Sequence, residues 1–129
     1  MKFVLQVNSS PYASSSGLSA YHFACAALAS GHQILRIFFY REGIYHALRF
    51  ALPPDDEIRI CAMWSELARG YGVDLVVCIS AAQRRALLCA DEARRQGAQD
   101  DALADGFRIA GLGQWLEASL QADRAIVFG

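Results

Sequence analysis

No apolar run in this 129-residue chain approaches the roughly 18 residues of a membrane-spanning helix, so a membrane-embedded protein is not expected. The opening Met1-Lys2-Phe3-Val4-Leu5-Gln6-Val7-Asn8 turns polar too early for a signal-peptide core and carries no small-residue cleavage site, which points to a cytoplasmic protein. Lysine is nearly missing. Of twelve basic residues eleven are arginine and one is Lys2, scattered among thirteen acids for a net charge of −1. A protein that grips phosphates electrostatically needs a basic stripe, and its absence argues against direct nucleic-acid binding. The spacings of metal and dithiol sites are missing too. The four cysteines (Cys25, Cys61, Cys78, Cys89) form no C-x-x-C, and His22, His32 and His46 fall at no ligand spacing. Gly111-x-Gly113 lacks the third glycine of a dinucleotide loop, no G-x-x-x-x-G-K-[ST] is present, and no Ser-His-Asp or Cys-His pairing is readable from spacing.

What is present is material for a core. Hydrophobic residues make up 54% of the chain, above the ordinary level of about 45–50%, and the length suits one domain over residues 1–129. A chain of this size folds without staples, so the cysteines are read as reduced thiols. Strands are predicted over 2–7, 33–40, 73–79, 107–110 and 124–128. Helices are predicted over 18–30, 44–51, from the acidic start Pro53-Pro54-Asp55-Asp56-Glu57 through Tyr71, over 80–96 and over 114–122. An acidic, mobile loop is expected from Gly97 to Gly106. Nearly continuous apolar strands alternating with helices imply a parallel sheet covered on both faces. The expected fold is therefore an α/β class, three-layer α/β/α sandwich with a mainly parallel five-stranded sheet.

Sites in such sheets lie beyond the carboxyl ends of the strands. That rule selects Asn8 with the serine loop after it, the Tyr40–Gly43 segment, and Cys78. Ser80, followed three residues later by Gln83, matches a capping box and is expected to cap the helix after Cys78. The thiol would then sit near unpaired N–H groups, with Arg84 and Arg85 adding positive potential, and both effects favour the reactive thiolate. The competing reading is a packed core thiol, since cysteine is among the most buried residue types. Cys25, Cys61 and Cys89 lie on apolar helix faces and read as core or near-core residues. The serine loop is explained as well by capping and turn-making as by an anion site. His46 reads equally as a surface residue or a base. Exposed aromatics around Tyr40, Tyr45 and Phe50 suggest partner contacts, with a core role the alternative. A phospho-acceptor receiver domain fails, because the relevant strand ends carry Asn8 and Cys78 where aspartates are needed.

With Cys78 isolated, the chain resembles the DsrE/TusD sulfur-carrier family. The likeness runs through Met1–Asn8, Ser19–Ala24, Gly31–Tyr40, Pro53-Pro54, Phe107–Gly113 and Ala122–Phe128, with Asp74–Arg85 its most specific segment. Residues 88–105 and Ser14-Ser15-Ser16 depart most from the pattern. The resemblance implies that Cys78 accepts sulfane sulfur as a persulfide and hands it to a partner, with no metal or organic cofactor. Ser80, Gln83, Arg84 and Arg85 are candidates for shaping the thiolate's environment. It also implies a heterohexamer with DsrF/TusC-like and DsrH/TusB-like subunits, an upstream TusA-like persulfide donor and a downstream TusE/DsrC-like acceptor. Two settings use this chemistry: tRNA wobble 2-thiouridine synthesis, the more widespread role, and dissimilatory sulfur oxidation. A non-catalytic assembly subunit and a flavodoxin-type small-molecule-binding domain are the rival readings.

Overall fold

The protein is described by a computed structural model over residues 1–98 and 101–129. Five apolar stretches form the strands β1 (Lys2–Val7), β2 (Gln33–Phe39), β3 (Leu75–Cys78), β4 (Phe107–Ala110) and β5 (Arg124–Phe128). They pair in parallel in the order β4–β3–β2–β1–β5. Parallel neighbours cannot be joined by a tight hairpin, so every connection crosses a face of the sheet and covers it. The connections are α1 (Ser16–Ala29), a 3-10 helix (Arg41–Ala47), α2 (Ile60–Tyr71), α3 (Ile79–Arg84), α4 (Ala90–Arg95) and α5 (Gly113–Gln121). Helices lie on both sides of the sheet, giving the expected three-layer sandwich.

The strand register places Ile126, Leu5, Ile37, Leu75 and Phe107 in one row across the sheet. Above that face, the fully buried Trp64 of α2 stands edge-on to Phe39, 5.4 Å between ring centroids, and to Tyr21 of α1 at 5.2 Å. Burying such a side chain contributes about 1.5–3 kcal/mol, so Trp64 fastens α1 and α2 to the sheet together. The other face is more polar. Asp74, just before β3, accepts hydrogen bonds from Arg36 (2.6 Å) and Arg108 (2.8 and 2.9 Å), and Arg36 also donates to the Gln114 carbonyl at 2.7 Å. This network binds β2, β3, β4 and the start of α5, and Trp115 of α5 packs on Phe38. Leu112, the N-cap of α5, Leu116 and Leu120 on that helix, and Val127 of β5 stay exposed.

Several helical details differ from expectation. The buried stripe of α1 is Gly17, Ala20, Ala24 and Ala27, while Leu18, Tyr21, Cys25 and Leu28 are half-buried on its flanks. Small residues face the sheet because they let the helix approach it closely. The acids Asp55–Glu57 precede α2 but do not begin it. The helix starts at Ile60, the first residue of its buried face, and Tyr71 at its end is exposed. The helix expected over 44–51 is instead the 3-10 segment beginning at Arg41. The helix expected over 80–96 is broken into α3 and α4, because the chain turns at Ala86 (φ 62°) and drops Leu87 into the core. Residues 99 and 100 of the expected acidic loop lie outside the described residues. Its later part is tied down by Arg49 N–H donating to the Ala102 carbonyl and Ala104 N–H to that of Ala47.

Candidate active site

The carboxyl ends of β1, β2 and β3 meet under the 3-10 helix. That helix sits directly on the end of β1: a Cβ at Gly43 would lie 1.9 Å from the Val7 carbonyl oxygen, so only glycine fits. The serine loop after β1 uses its hydroxyls locally, Ser10 accepting from the Tyr12 N–H and Ser14 from the Ser16 N–H. Asn8 accepts from the Gln6 side chain at 2.8 Å. These are turn and strand-end contacts of the kind the sequence allowed.

Cys78 is the last residue of β3, beside Ala110 of β4, and is only 2% exposed. It is itself the N-cap of α3, with extended backbone (φ −62°, ψ 123°). Ser80 is therefore not the cap, and the expected capping box does not form. Helical geometry begins immediately after the strand, so Ser80 already lies in the first turn. Its hydroxyl instead comes 3.4 Å from Cys78 Sγ, either group donating. Gln83 and Arg84 are exposed. Arg85 is held tightly: it donates to the Ala81 carbonyl (3.1 Å) and twice to Glu42 Oε1 (3.1 and 2.5 Å). Glu42 lies on the 3-10 helix, 43 residues away in sequence, within the Tyr40–Gly43 segment that follows β2. Arg85's hydrogen bonds hold the Glu42 carboxyl below its usual range. The Arg85 guanidinium is raised in turn, chiefly by Glu42 and more weakly by Tyr45 and Cys78. Of the predicted surroundings, Ser80 and Arg85 gather at the sulfur's end of β3.

The other cysteines are dispersed and none is bridged. Burial pushes the Cys61 thiol up to about 11, so at neutral pH it stays protonated and inert. Cys25 is half-buried, and the hydroxyl of Tyr21 close to it is raised to about 12, chiefly by burial, with Cys25 adding to the shift. Cys89 is exposed at the N-cap of α4, not near the core as its apolar face suggested. His46 is neither a surface residue nor an available base. Fully buried, it accepts from Trp64 Nε1–H at Nδ1 (3.1 Å), so Nε2 carries the proton and donates to the Ser9 carbonyl at 3.1 Å. Of the aromatic trio only Phe50 is exposed, Tyr40 and Tyr45 being half-buried.

Among the described residues no three His, Cys, Asp or Glu side chains converge as metal ligands would, and no helix is long and apolar enough to cross a membrane. A cleft of about 370 Å³ lies elsewhere, along α2, and holds Arg49, Arg59, Arg69, Cys61 and Asp105. There Arg59 pairs with Asp55, and Arg49 with Asp101 and Asp105.

The chain is similar to known proteins over its whole length. A protein of Allochromatium vinosum named, provisionally, sulfurtransferase DsrE is 49% identical over 129 residues, covering 100% of this chain and 99% of that protein. Sulfurtransferase TusD of Cronobacter sakazakii is 41% identical over 128 residues, covering 99% and 100% of the two chains. A sulfurtransferase TusD homolog of Vibrio vulnificus is 38% identical over 128 residues, covering 99% and 98%. The crystal structure of the ychN protein from E. coli superposes with a TM-score of 0.78 at 22% identity, over 99% of each chain, and shares the fold. The DsrE/DsrF-like family pattern itself matches residues 1–128, the whole sheet and the Cys78 strand end included, and the chain belongs to that family.

Proposed function

We propose that this chain is a persulfide relay protein, a sulfurtransferase that accepts sulfane sulfur on Cys78 and passes it to a cysteine of a partner protein, the whole of residues 1–129 acting as one domain. The single observation behind the choice of cysteine is the placement of Cys78 at the carboxyl end of β3, beside Ser80 and the Glu42–Arg85 pair. Family membership and relatives named as sulfurtransferases support the relay role. In the first step the Cys78 thiolate attacks the outer sulfur of a donor persulfide. A new S–S bond forms, the donor's inner sulfur leaves with the electron pair, and the hydrogen stays on the transferred sulfur. An acceptor thiolate then attacks that sulfur and the Cys78 thiolate leaves. No net oxidation occurs, and no metal or organic cofactor is called for. At 2% exposure the sulfur cannot meet a partner's cysteine directly, so docking has to shift the segments over β3.

The partners of this reading are DsrF/TusC-like and DsrH/TusB-like subunits in a cytoplasmic heterohexamer, with a TusA-like donor upstream and a TusE/DsrC-like acceptor downstream. Exposed Leu112, Leu116 and Leu120, spaced four apart along one side of α5, are an apolar surface suited to such association. The setting first expected is 2-thiouridine synthesis on tRNA. Dissimilatory sulfur oxidation is a second reading, favoured by the 49% identity to the Allochromatium protein against 38–41% to the TusD relatives named above. Deleting the gene and measuring both 2-thiouridine and sulfur-compound oxidation separates the two settings. For the relay itself, the intact chain is treated with glutathione persulfide and weighed. One extra sulfur is expected in the parent and none in Cys78→Ser; sulfur retained in Cys78→Ser on another cysteine sinks the assignment.

A further inference from the structure

The 3-10 helix and α3 both pack against the end of β3, and one ion pair joins them. Arg85 is a long, flexible side chain, yet three hydrogen bonds fix it. One reaches back to the Ala81 carbonyl in the first turn after Cys78, and two go to the same oxygen of Glu42. The Arg85 side chain is only 21% accessible, while that of Glu42 stays 53% accessible. Among the described residues just two non-glycine positions adopt left-handed backbone. They are Arg41 (φ 52°), next to Glu42, and Ala86 (φ 62°), next to Arg85. Left-handed geometry is disfavoured for any residue with a Cβ, and such outliers gather where surrounding structure fixes a functional arrangement. Both partners of one ion pair thus sit at a strained shoulder, beside the cysteine at the strand end.

We propose that Glu42 is a positioning residue for sulfur transfer at Cys78: by accepting two hydrogen bonds from Arg85 it holds that guanidinium where negative charge forms on the sulfur. The proposal rests on Cys78 being the sulfur carrier. In the relay, negative charge appears on Cys78 twice, when its thiolate attacks and when it departs. A fixed cation assists both moments; a mobile one spends much of its time in solvent. The ionisable groups acting on Arg85 are Glu42 and Tyr45 from the 3-10 helix and Cys78 from β3, while β4 presents Ala110 alongside the cysteine. Glu42's own negative charge works against a thiolate. The sign of its removal therefore tells positioning from simple charge.

The test uses the full chain at low ionic strength. The thiolate ultraviolet absorbance that disappears in Cys78→Ser is followed against pH, and the rate of persulfide loading from glutathione persulfide is read by intact mass. Glu42→Ala is expected to move the Cys78 titration to higher pH and slow loading at neutral pH by about two- to fivefold, the range for a partly exposed pair. Glu42→Asp should recover part of both effects. Arg85→Gln should reproduce them, and adding Glu42→Ala to Arg85→Gln should raise the titration and slow loading no further, because without the guanidinium the carboxylate has nothing to hold and only its own repulsion of the thiolate is removed. An unchanged titration, or faster loading in Glu42→Ala, overturns the proposal, as does an additive double variant. Sulfur loading on a cysteine other than Cys78 in the parent chain would defeat the carrier assignment instead, a result visible before any Glu42 variant is made.

Discussion

His46 gives the chain a built-in acid sensitivity whose size follows from its surroundings. Burial, as the main cause, lowers its pKa from about 6.5 to about 4, with the Ser9 carbonyl pulling weakly the other way. Between those values the unfolded chain holds a proton that the folded chain excludes. Stability therefore rises with pH across this window and is lost as pH falls below about 6.5. At about 1.36 kcal/mol per pH unit, the gap from 6.5 to about 4 corresponds to about 3 kcal/mol when fully expressed, of which about 2 kcal/mol is gone by about pH 5. The perturbation that isolates this is His46→Gln. Glutamine can accept from Trp64 and donate to Ser9, as the neutral imidazole does, but it does not titrate. Urea melts of parent and variant at a series of pH values between about 7.5 and about 5, followed by tryptophan fluorescence, give the difference in stability. His22, His32 and the carboxylates are common to both chains and cancel. The parent should lose about 2 kcal/mol more than His46→Gln over that span. A difference that stays flat with pH would refute the reasoning.

Two further outcomes test the frame around the site. Gly43→Ala should destabilise by about 3 kcal/mol or more, because its Cβ meets the Val7 backbone oxygen, whereas Gly70→Ala, in open space on α2, should stabilise by about 0.5–1 kcal/mol. Similar urea midpoints for both variants would contradict the packing described at the end of β1. Asp74→Ala strands Arg36, whose side chain is 14% accessible, and should cost about 1–2 kcal/mol after allowing for the partial exposure of Asp74. Hydrogen bonds from Arg108, with Arg36 adding to them, hold the Asp74 carboxyl below its ordinary range. Its contribution is thus present above about pH 4 and lost as pH falls further. Acid titration of stability should be shallower below about pH 4 in the variant, and equal slopes would count against the pairing.

The five strands were legible because each is a largely apolar run; β1, β2 and β3 are covered on both faces, as such runs imply, whereas the edge strand β5 leaves Arg124, Ala125 and Val127 exposed. The position of Cys78 at a strand end was legible for the same reason. Helix limits were harder. Asp55–Glu57 look like a first turn, but α2 begins at Ile60, where burial begins. Alanine-rich 80–96 reads as one helix, since alanine favours helix everywhere and gives no sign that Leu87 is pulled into the core. Ser80 and Gln83 have capping-box spacing, yet the strand runs straight into the helix and leaves the cap to Cys78. The contacts of His46 with Ser9 and Trp64, and of Glu42 with Arg85, join residues 18 to 43 positions apart. No local spacing encodes them; only the closing of the sheet brings them together.

In the relay proposed above, the near-complete enclosure of Cys78 bears on how long sulfur survives between carriers. A persulfide in the open is stripped by free cellular thiols and climbs the oxidation ladder toward forms that do not return. Behind a closed shell, such losses proceed only during the fraction of time the shell stands open. If that fraction is about one in a hundred, the cargo lasts about a hundredfold longer than on a surface thiol. A docked partner that stabilises the open form cancels this delay for itself alone. Under that proposal the 2% exposure of one residue works as a clock on leakage, fast toward a docked acceptor and slow toward everything else in solution.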